Sequence, residues 1–495
     1  MFEGVYERIE ESAEDGEEVE EDSSTARMGW PRKALDYVAS LEIQAEPIVL
    51  LMAACNSAVG VVTPTLTLDK VNRTYPPPPD VDPNTYSNKW MVYWNQQYSY
   101  VNTPISCIMG VVYGGFSDKY GRKIPLLVGL VSVMIATSLN MLILSPTTDW
   151  PFELNYPLAA VCGFFGDFSL TMTCVNSYLT DQFPDKKRLS FRMVIVSIAF
   201  SVGNLAGAQL ADQLIKIIDY ISLMGIALGL TAATFIYGVI FLKWRKPRPK
   251  HVRLPDDSSS LGSPREEEER PPKFEFFTTI KDSFLSLYEA VKIFVIKREG
   301  HLRMFLYVCF LANFLDQFIY GEEKGLIGTY TKLPPFNWDA HALAVYKSIR
   351  PIVQIIGMCI GLAVFKKVFS LRDTACICLA IGSMGMCVLV IGLAQSSWLI
   401  YVSLIPEAFH GLLNPLTYTF MSCIVHPDEI GKAYAVSSIA QQLASIAQSA
   451  ILQNIYKATV DWYMGFVWIL MSGIAAIAVA LYTFVHFLAK KEGVG

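Results

Sequence analysis

Long apolar stretches are the feature that most limits what this chain can fold into. About twelve runs of roughly 20 mostly apolar residues occur, and each can cross a hydrocarbon core as a helix. They form two sets of six, near residues 47–67, 98–116, 124–144, 157–180, 192–213 and 222–243, and near 302–321, 342–365, 373–394, 397–424, 432–456 and 463–488. The second run is the weakest, because polar residues such as Asn102 and Ser106 dilute it. The pattern predicts an all-α membrane protein with about twelve transmembrane helices in two six-helix halves.

Charged residues are scarce, which supports this class. They make up 17% of the chain and apolar residues 52%, with a mean hydropathy of +0.35, whereas roughly a quarter of the residues of a soluble protein are charged. The net charge of -5 averages an acidic N-terminus against basic loops, so no nucleic-acid partner is expected. The 10 cysteines all lie in apolar runs and are interpreted as packing residues. We expect no cofactor and no metal site.

Polar segments divide the chain into five parts. The predicted parts are an acidic cytoplasmic tail, the first six-helix half, a cytoplasmic linker, the second half and a short cytoplasmic tail, at residues 1–45, 46–244, 245–300, 301–489 and 490–495. The linker is too polar to bury a core, and we expect it to be mostly disordered. Its end, about 274–297, is amphipathic and predicts a helix lying on the membrane surface.

Basic residues indicate the orientation in the membrane. Most lie in loops on one side, at Lys119, Arg122, Lys123, Lys186, Lys187, Arg188, Arg192, Lys243, Arg245, Lys246, Arg248, Lys366, Lys367, Arg372, Lys490 and Lys491. This bias predicts that both termini are cytoplasmic. The triplet Asn72-Arg73-Thr74 then falls in the first outer loop, where Asn72 is a candidate N-glycosylation site.

The loop between the second and third runs carries a recognisable motif. Residues 114–123, G-G-F-S-D-K-Y-G-R-K, resemble the signature G-x-x-x-D-R-x-G-R-R of the major facilitator superfamily. The turn requires a residue such as Gly121 that tolerates positive φ. The candidate gating residues are Gly114, Asp118, Gly121, Arg122 and Lys123. They can form a latch between the two halves, the alternative being a generic basic turn. The resemblance implies alternating access around a site between the halves.

A narrower resemblance lies in the fourth and fifth runs. Residues 162–168 and 188–193, and also 330–339, are similar to solute carrier family 46, the family of the proton-coupled folate transporter. The resemblance implies proton-linked uptake or endolysosomal export of organic anions such as folates, haem, steroid conjugates or muramyl peptides. Ser197, Tyr320 and Tyr418 stand where the folate carrier has glutamate, histidine and arginine. We therefore do not transfer that carrier's substrate or proton-coupling residues to this chain.

Polar residues inside the runs are candidates for the transport path, because a charge in the membrane usually faces a cavity or a partner. Asp167 lies in the middle of the fourth run. Its alternative roles are a proton carrier, a substrate contact or a structural residue. One face of the seventh run carries Asn313, Asp316, Gln317 and Tyr320, at i, i+3, i+4 and i+7. Two such polar faces on adjacent runs predict an aqueous path.

The eighth run supplies the second polar face. Lys347, Arg350 and Gln354 share it. We predict that Arg350 faces the cavity and is a candidate partner of Asp316, and that Lys347 extends to the outer interface.

The tenth and eleventh runs add further candidates. Glu407 and His410 lie at i and i+3 and are predicted to share a proton, since histidine titrates near neutral pH. Pro406 and Pro415 should break this helix. Gln441 and its neighbours offer neutral hydrogen bonds. Two G-x-x-x-G pairs, Gly110/Gly114 and Gly203/Gly207, predict close helix packing.

These features favour a secondary transporter of a small organic solute, predicted to be anionic and proton-coupled. The alternatives are a proton-independent facilitator, an endolysosomal exporter, or a membrane receptor or sensor. No catalytic motif is present, so an enzyme is not expected. The expected location is the plasma membrane or an endolysosomal membrane.

Overall fold

Helices make up almost all of the structure. The computed structural model describes residues 44–182, 186–242, 301–425 and 430–492, with isolated positions 281, 285, 288 and 292. No strand occurs in these ranges. Nearly all of the predicted acidic tail and linker, including the amphipathic segment, lie outside the described residues.

The first set of helices precedes the linker. Its members are α1 (Glu46–Thr74), α2 (Pro83–Tyr120), α3 (Lys123–Leu144), α4 (Asn155–Phe164), α5 (Asp167–Gln182), α6 (Lys186–Leu214) and α7 (Tyr220–Phe241). A short 3₁₀ turn, Phe152–Leu154, precedes α4.

The second set follows the linker. Its members are α8 (Leu302–Tyr330), α9 (Ala340–Gly361), α10 (Asp373–Leu393), α11 (Ser397–Val402), α12 (Leu404–Glu407), α13 (Leu413–Ile424), α14 (Ile430–Thr459) and α15 (Phe466–Glu492). A π-helical stretch, Leu362–Val368, extends α9, and a 3₁₀ turn, His410–Leu412, precedes α13.

Eight helices in the described ranges are long and apolar enough to cross a membrane: α1, α3, α6 from Ile195, α7, α8, α9, α10 and α15. The other four predicted spans are also helical. The fourth and tenth are broken into pieces, and α2 and α14 carry polar faces. In α2 the polar residues that weakened the prediction point inward, where Asn102 Nδ2 donates to the Ala159 carbonyl oxygen at 3.2 Å. The prediction of an all-α membrane protein is confirmed.

Close helix contacts depend on small residues. A Cβ added to Gly203 or Gly207 of α6 would lie 2.3 or 2.1 Å from the backbone oxygens of Leu50 or Ala54 in α1. This G-x-x-x-G pair therefore packs as predicted. The prediction is wrong for Gly110 and Gly114, where an added Cβ would meet nothing within 4 Å. In the described part of the chain no helix backbone lies close to that face of α2, so the spacing alone did not identify a contact.

The Gly207 contact can be tested with a matched glycine. Gly207→Ala should lower the free energy of unfolding by about 1–3 kcal/mol, because the new methyl group overlaps the α1 backbone. Gly225→Ala in α7, where nothing lies within 4 Å, should leave stability unchanged or raise it slightly. Thermal unfolding in detergent would measure both. Equal stability of the two variants would contradict the packing account.

Candidate functional site

A break in the tenth span positions an acidic side chain deep in the second set. α11 ends at Val402, α12 is a single turn that ends at Glu407, and α13 begins at Leu413. Pro406 lies in α12 and Pro415 in the first turn of α13, so the predicted interruption is confirmed.

The broken segment packs directly on α9. A Cβ added to Gly357 would lie 2.2 Å from the Ala408 carbonyl oxygen. Arg350 is seven residues earlier, which is the same face of α9. The close approach therefore brings Arg350 next to Glu407.

Arg350 binds two buried carboxylates. Its Nε and Nη2 donate to Glu407 Oε1 at 2.8 and 2.6 Å, and its Nη1 donates to Glu323 Oε1 at 3.1 Å. Nη2 also contacts Glu323 Oε2. Gln354 Nε2 adds a hydrogen bond of 2.7 Å to Glu407 Oε1. We call Arg350, Glu323 and Glu407 the arginine cluster; with all three groups ionised, its net charge is negative.

A second titratable pair lies beside this cluster. His410 Nε2 is 2.7 Å from Asp316 Oδ1, and both side chains are buried. The two predicted pairings, Asp316 with Arg350 and Glu407 with His410, are therefore replaced by others. An unbroken helix would put residues 407 and 410 on one face, but the break before the 3₁₀ turn directs His410 towards α8.

Tyr320 lies between the two centres. Its ring centroid is 4.5 Å from that of His410, 5.4 Å from the Arg350 guanidinium carbon and 4.1 Å from Lys324 Nζ. Lys324 itself is exposed. Positive groups held at a ring face in this way are stabilised by cation–π attraction.

A polar cavity of about 340 Å³ lies between the two sets of helices. Its walls come from α2, α8 and α14 and consist of Asn102, Thr103, Ser106, Gln317, Gln441, Gln442 and Ser445. The predicted Gln317 and Gln441 thus meet at one cavity. Asn313 does not line it, because its side chain bonds to Ser437 Oγ in the contact between α8 and α14. Every lining side chain is a neutral amide or hydroxyl that can both donate and accept hydrogen bonds.

Three charged residues were missed by the sequence analysis. Glu322, Glu323 and Lys324 follow the predicted end of the seventh run at 321, but α8 continues to Tyr330. The sequence contains a signal that the helix continues: Lys324 lies seven residues after Gln317 and four after Tyr320, on the same helix face. The apolar pair Leu326 and Ile327 showed that the helix did not end there.

Polar contacts join the two helix sets at one end. We call the end with the 75–82 and 331–339 connections the outer end, after the predicted orientation. Asn88 Nδ2 donates to the Thr329 carbonyl oxygen at 2.7 Å and accepts from the Tyr456 hydroxyl at 2.9 Å. Gln96 Nε2 donates to the Ser449 carbonyl oxygen at 2.7 Å.

Two side-chain pairs reinforce this end. Lys89 pairs with Asp461, and His341 pairs with Asp212. Among the described residues, the hydrogen bonds between the two sets extend from this end as far as Gly60 at the middle of α1. Lys347 takes part: its ammonium donates to the Gly60 carbonyl oxygen at 2.6 Å instead of extending to the interface. The outer end is therefore closed.

Comparisons with known proteins identify the family. The family model described as Major Facilitator Superfamily matches residues 99–449, which is more than half of the chain. The chain belongs to the Major Facilitator Superfamily. Its fold accounts for two helix sets that meet around a central cavity.

Several relatives resemble this major facilitator over most of its length. Solute carrier family 46 member 2 of Mus musculus is 23% identical, covering 76% of each chain. The lysosomal proton-coupled steroid conjugate and bile acid symporter of Gallus gallus is 21% identical, covering 78% of this chain and 77% of that one. The crystal structure of the human organic anion transporter MFSD10 (TETRAN) matches with a TM-score of 0.58 at 14% identity, covering 89% of this chain and 99% of that one. This likeness shows that the two proteins share a fold.

The predicted class is confirmed by these findings. The chain is a multi-pass membrane transporter of a small organic solute, and its family consists of transporters, not enzymes. The resemblance to the superfamily and to solute carrier family 46 is also confirmed.

The superfamily motif has the predicted turn. Gly121 has φ of +103°. Arg122 Nη1 donates to Ser117 Oγ, whose hydroxyl donates to the Gly114 carbonyl oxygen at 2.8 Å. Lys123 Nζ donates to the Val239 carbonyl oxygen at 2.7 Å, which ties α3 to the end of α7. The side chain of Asp118 lies outside the described residues, so the latch between the halves stays a prediction.

Two other predicted sites are described only in part. Asp167 begins α5 directly after Gly166, whose φ of +85° breaks the fourth span. The Asp167 side chain lies outside the described residues, and its role stays a prediction. Asn72 is exposed near the outer end, and its Oδ1 accepts a hydrogen bond of 2.6 Å from Ser87. Glycosylation at Asn72 also stays a prediction.

The charge balance of the arginine cluster can be tested through stability. Arg350→Gln should destabilise the protein by about 3–5 kcal/mol, because two buried carboxylates lose their cation. Adding Glu323→Gln and Glu407→Gln should recover most of this loss. Thermal unfolding in detergent would compare the variants. If Arg350→Gln were as stable as the unaltered protein, the cluster would not have the assigned charges.

Proposed function

We propose that the chain moves a small organic anion together with a proton by alternating access. The observation that supports this most is the sharing of Arg350 between Glu323 and Glu407. The cavity between the two sets provides the space for the solute, and α8 contributes both to this cavity, through Gln317, and to the arginine cluster, through Glu323.

The charge balance explains why a proton and an anion would bind together. The ionised cluster has one cation and two anions, so a substrate anion arriving beside it would add a further negative charge. A proton on Glu323 or Glu407 cancels that charge and frees part of the guanidinium to bind the substrate. By thermodynamic linkage, bound substrate then raises the affinity for the proton by the same factor by which the bound proton raises the affinity for the substrate.

Lys324 is the proposed first contact for the anionic group. It is exposed, it lies over the Tyr320 ring, and it shares a helix face with Gln317 of the cavity. A substrate that bonds to Lys324 with its anionic group could place its polar body among the amides and hydroxyls of the cavity.

The names of relatives support the substrate class. One relative is called a proton-coupled steroid conjugate and bile acid symporter, and such conjugates are bulky organic anions. We propose this class for the present chain, with haem, muramyl peptides and folates as further members to be screened.

Transport in proteoliposomes would test the coupling. With a radiolabelled steroid sulfate as probe, an inward pH gradient should increase the initial uptake rate several-fold. Glu407→Gln, which mimics the protonated carboxyl, should abolish this stimulation while exchange between labelled and unlabelled probe continues. Glu153→Gln changes an exposed acid far from the cluster and should behave like the unaltered protein.

Each outcome decides a separate part of the proposal. Uptake that is equal with and without the gradient would make the chain a proton-independent facilitator. Stimulation that persists in Glu407→Gln would remove Glu407 from the coupling. If the chain transported none of the anion classes but did transport neutral solutes, the proposed substrate charge would be wrong.

The role of Lys324 predicts a change in apparent affinity. Lys324→Gln should raise the KM for the anionic probe about tenfold or more, because a charge-assisted hydrogen bond is lost. Lys324→Arg keeps the charge and should stay close to the original KM. Concentration-dependent uptake would measure both, and an unchanged KM in Lys324→Gln would exclude this contact.

A further inference from the structure

Glu322 is a buried acid that the arginine cluster does not use. It is fully buried in α8. Its Oε2 accepts a hydrogen bond of 3.3 Å from Gln453 Nε2, while its Oε1 has no hydrogen-bond partner among the described residues. An ionised carboxylate in such a place would be very costly, whereas a protonated carboxyl is tolerated.

The charged groups around this part of α8 have other partners. Glu323 binds Arg350, Lys324 lies over Tyr320, Lys347 donates to Gly60, Lys457 of α14 to Gln96, Lys332 to Thr65, and Lys89 of α2 pairs with Asp461. Asp69 of α1, near Arg73 and Lys332, and the pair His341–Asp212 complete the set. Within the described ranges none of these groups forms an ion pair with Glu322.

The one hydrogen-bond partner of Glu322 among the described residues belongs to the outer closure. Gln453 lies on α14, four residues after Ser449 and three residues before Tyr456, so the three share one helix face. Both of these residues bind α2, through Gln96 and Asn88. On α8, Thr329 is seven residues beyond Glu322 and also binds Asn88. The carboxyl therefore lies under the junction where α2, α8 and α14 meet.

We propose that Glu322 is a second proton-binding residue, which must be protonated for the outer end to close over it. A proton from the outer solution forms the O–H bond of the carboxyl, and ionisation returns that proton to water when the outer end is open. No other bond changes. A charged Glu322 needs water, and it can reach water only if the contacts of α14 with α2 separate.

This inference deepens the proposed proton coupling, but its test needs no substrate. Hydrogen–deuterium exchange of the full chain in nanodiscs would be followed by mass spectrometry across a pH series. Peptides covering 83–100 and 445–463 report on the outer junction. After correction for the intrinsic pH dependence of exchange, they should become less protected at high pH in the unaltered protein. In Glu322→Gln, which cannot ionise, they should stay protected at every pH.

Two further variants keep the result interpretable. Gln453→Leu removes the donor that stabilises the ionised form, so loss of protection should move to higher pH by about one unit. His341→Asn removes the histidine contact at this end and should leave the transition in place. This variant separates the role of Glu322 from that of the His341–Asp212 pair.

The opposite results would overturn the inference. Identical pH profiles for Glu322→Gln and the unaltered protein would exclude Glu322 as the group that controls closure. If Glu322→Gln did not fold, a transition that stays at the same pH in Gln453→Leu would also exclude Glu322 as the controlling group. Loss of the transition in His341→Asn would assign it to the His341–Asp212 pair. If only the uptake experiments failed, the proposed transport would be wrong, but the control of outer closure by Glu322 would still be supported by the exchange data.

Discussion

Arg350 must stay paired with two carboxylates that two other helices bring into the membrane interior, and the local architecture follows from this requirement. A single charge at the bilayer centre costs about 2.5–3.5 kcal/mol on insertion scales. Glu323 reaches Arg350 from α8, and Glu407 reaches it from the one-turn helix α12. The break in the tenth span and the close approach at Gly357 are the geometric means by which the second carboxylate arrives.

The cluster and the outer closure differ in a way that suits alternating access. All three members of the cluster belong to the second helix set, so a rocking motion between the sets leaves their bonds intact. The outer closure crosses between the sets and includes neutral bonds to backbone carbonyl oxygens at Thr329 and Ser449. Each such bond contributes only about 0.5–1.5 kcal/mol. The closure can therefore open at a modest cost, while in the proposed cycle the cluster changes its protonation state.

Sequence reasoning predicted those features that depend on local physics. Apolar run length identified the spans, positive φ explained Gly121, and the search for polar residues inside the runs selected Gln317 and Gln441, which both line the cavity. It did not predict the partners of charged groups. The seventh run was predicted to end at 321, before Glu323, because hydropathy falls at residues 321–324, although burial and pairing allow the helix to continue. His410 was given the wrong partner, since an i, i+3 rule fails where the helix is interrupted.

Tyr320 determines how the two titratable centres can influence each other. Its ring separates the Asp316–His410 pair from Arg350 and also supports Lys324. A cation–π contact at an exposed site contributes only about 0.5–1 kcal/mol, less than a charge-assisted bond to a substrate anion. Lys324 can therefore leave the ring when an anion arrives. The Tyr320 ring then remains in contact with Arg350 and with His410. In the proposed cycle, substrate binding thus changes the electrostatic surroundings of both proton-accepting centres without moving the backbone of α8.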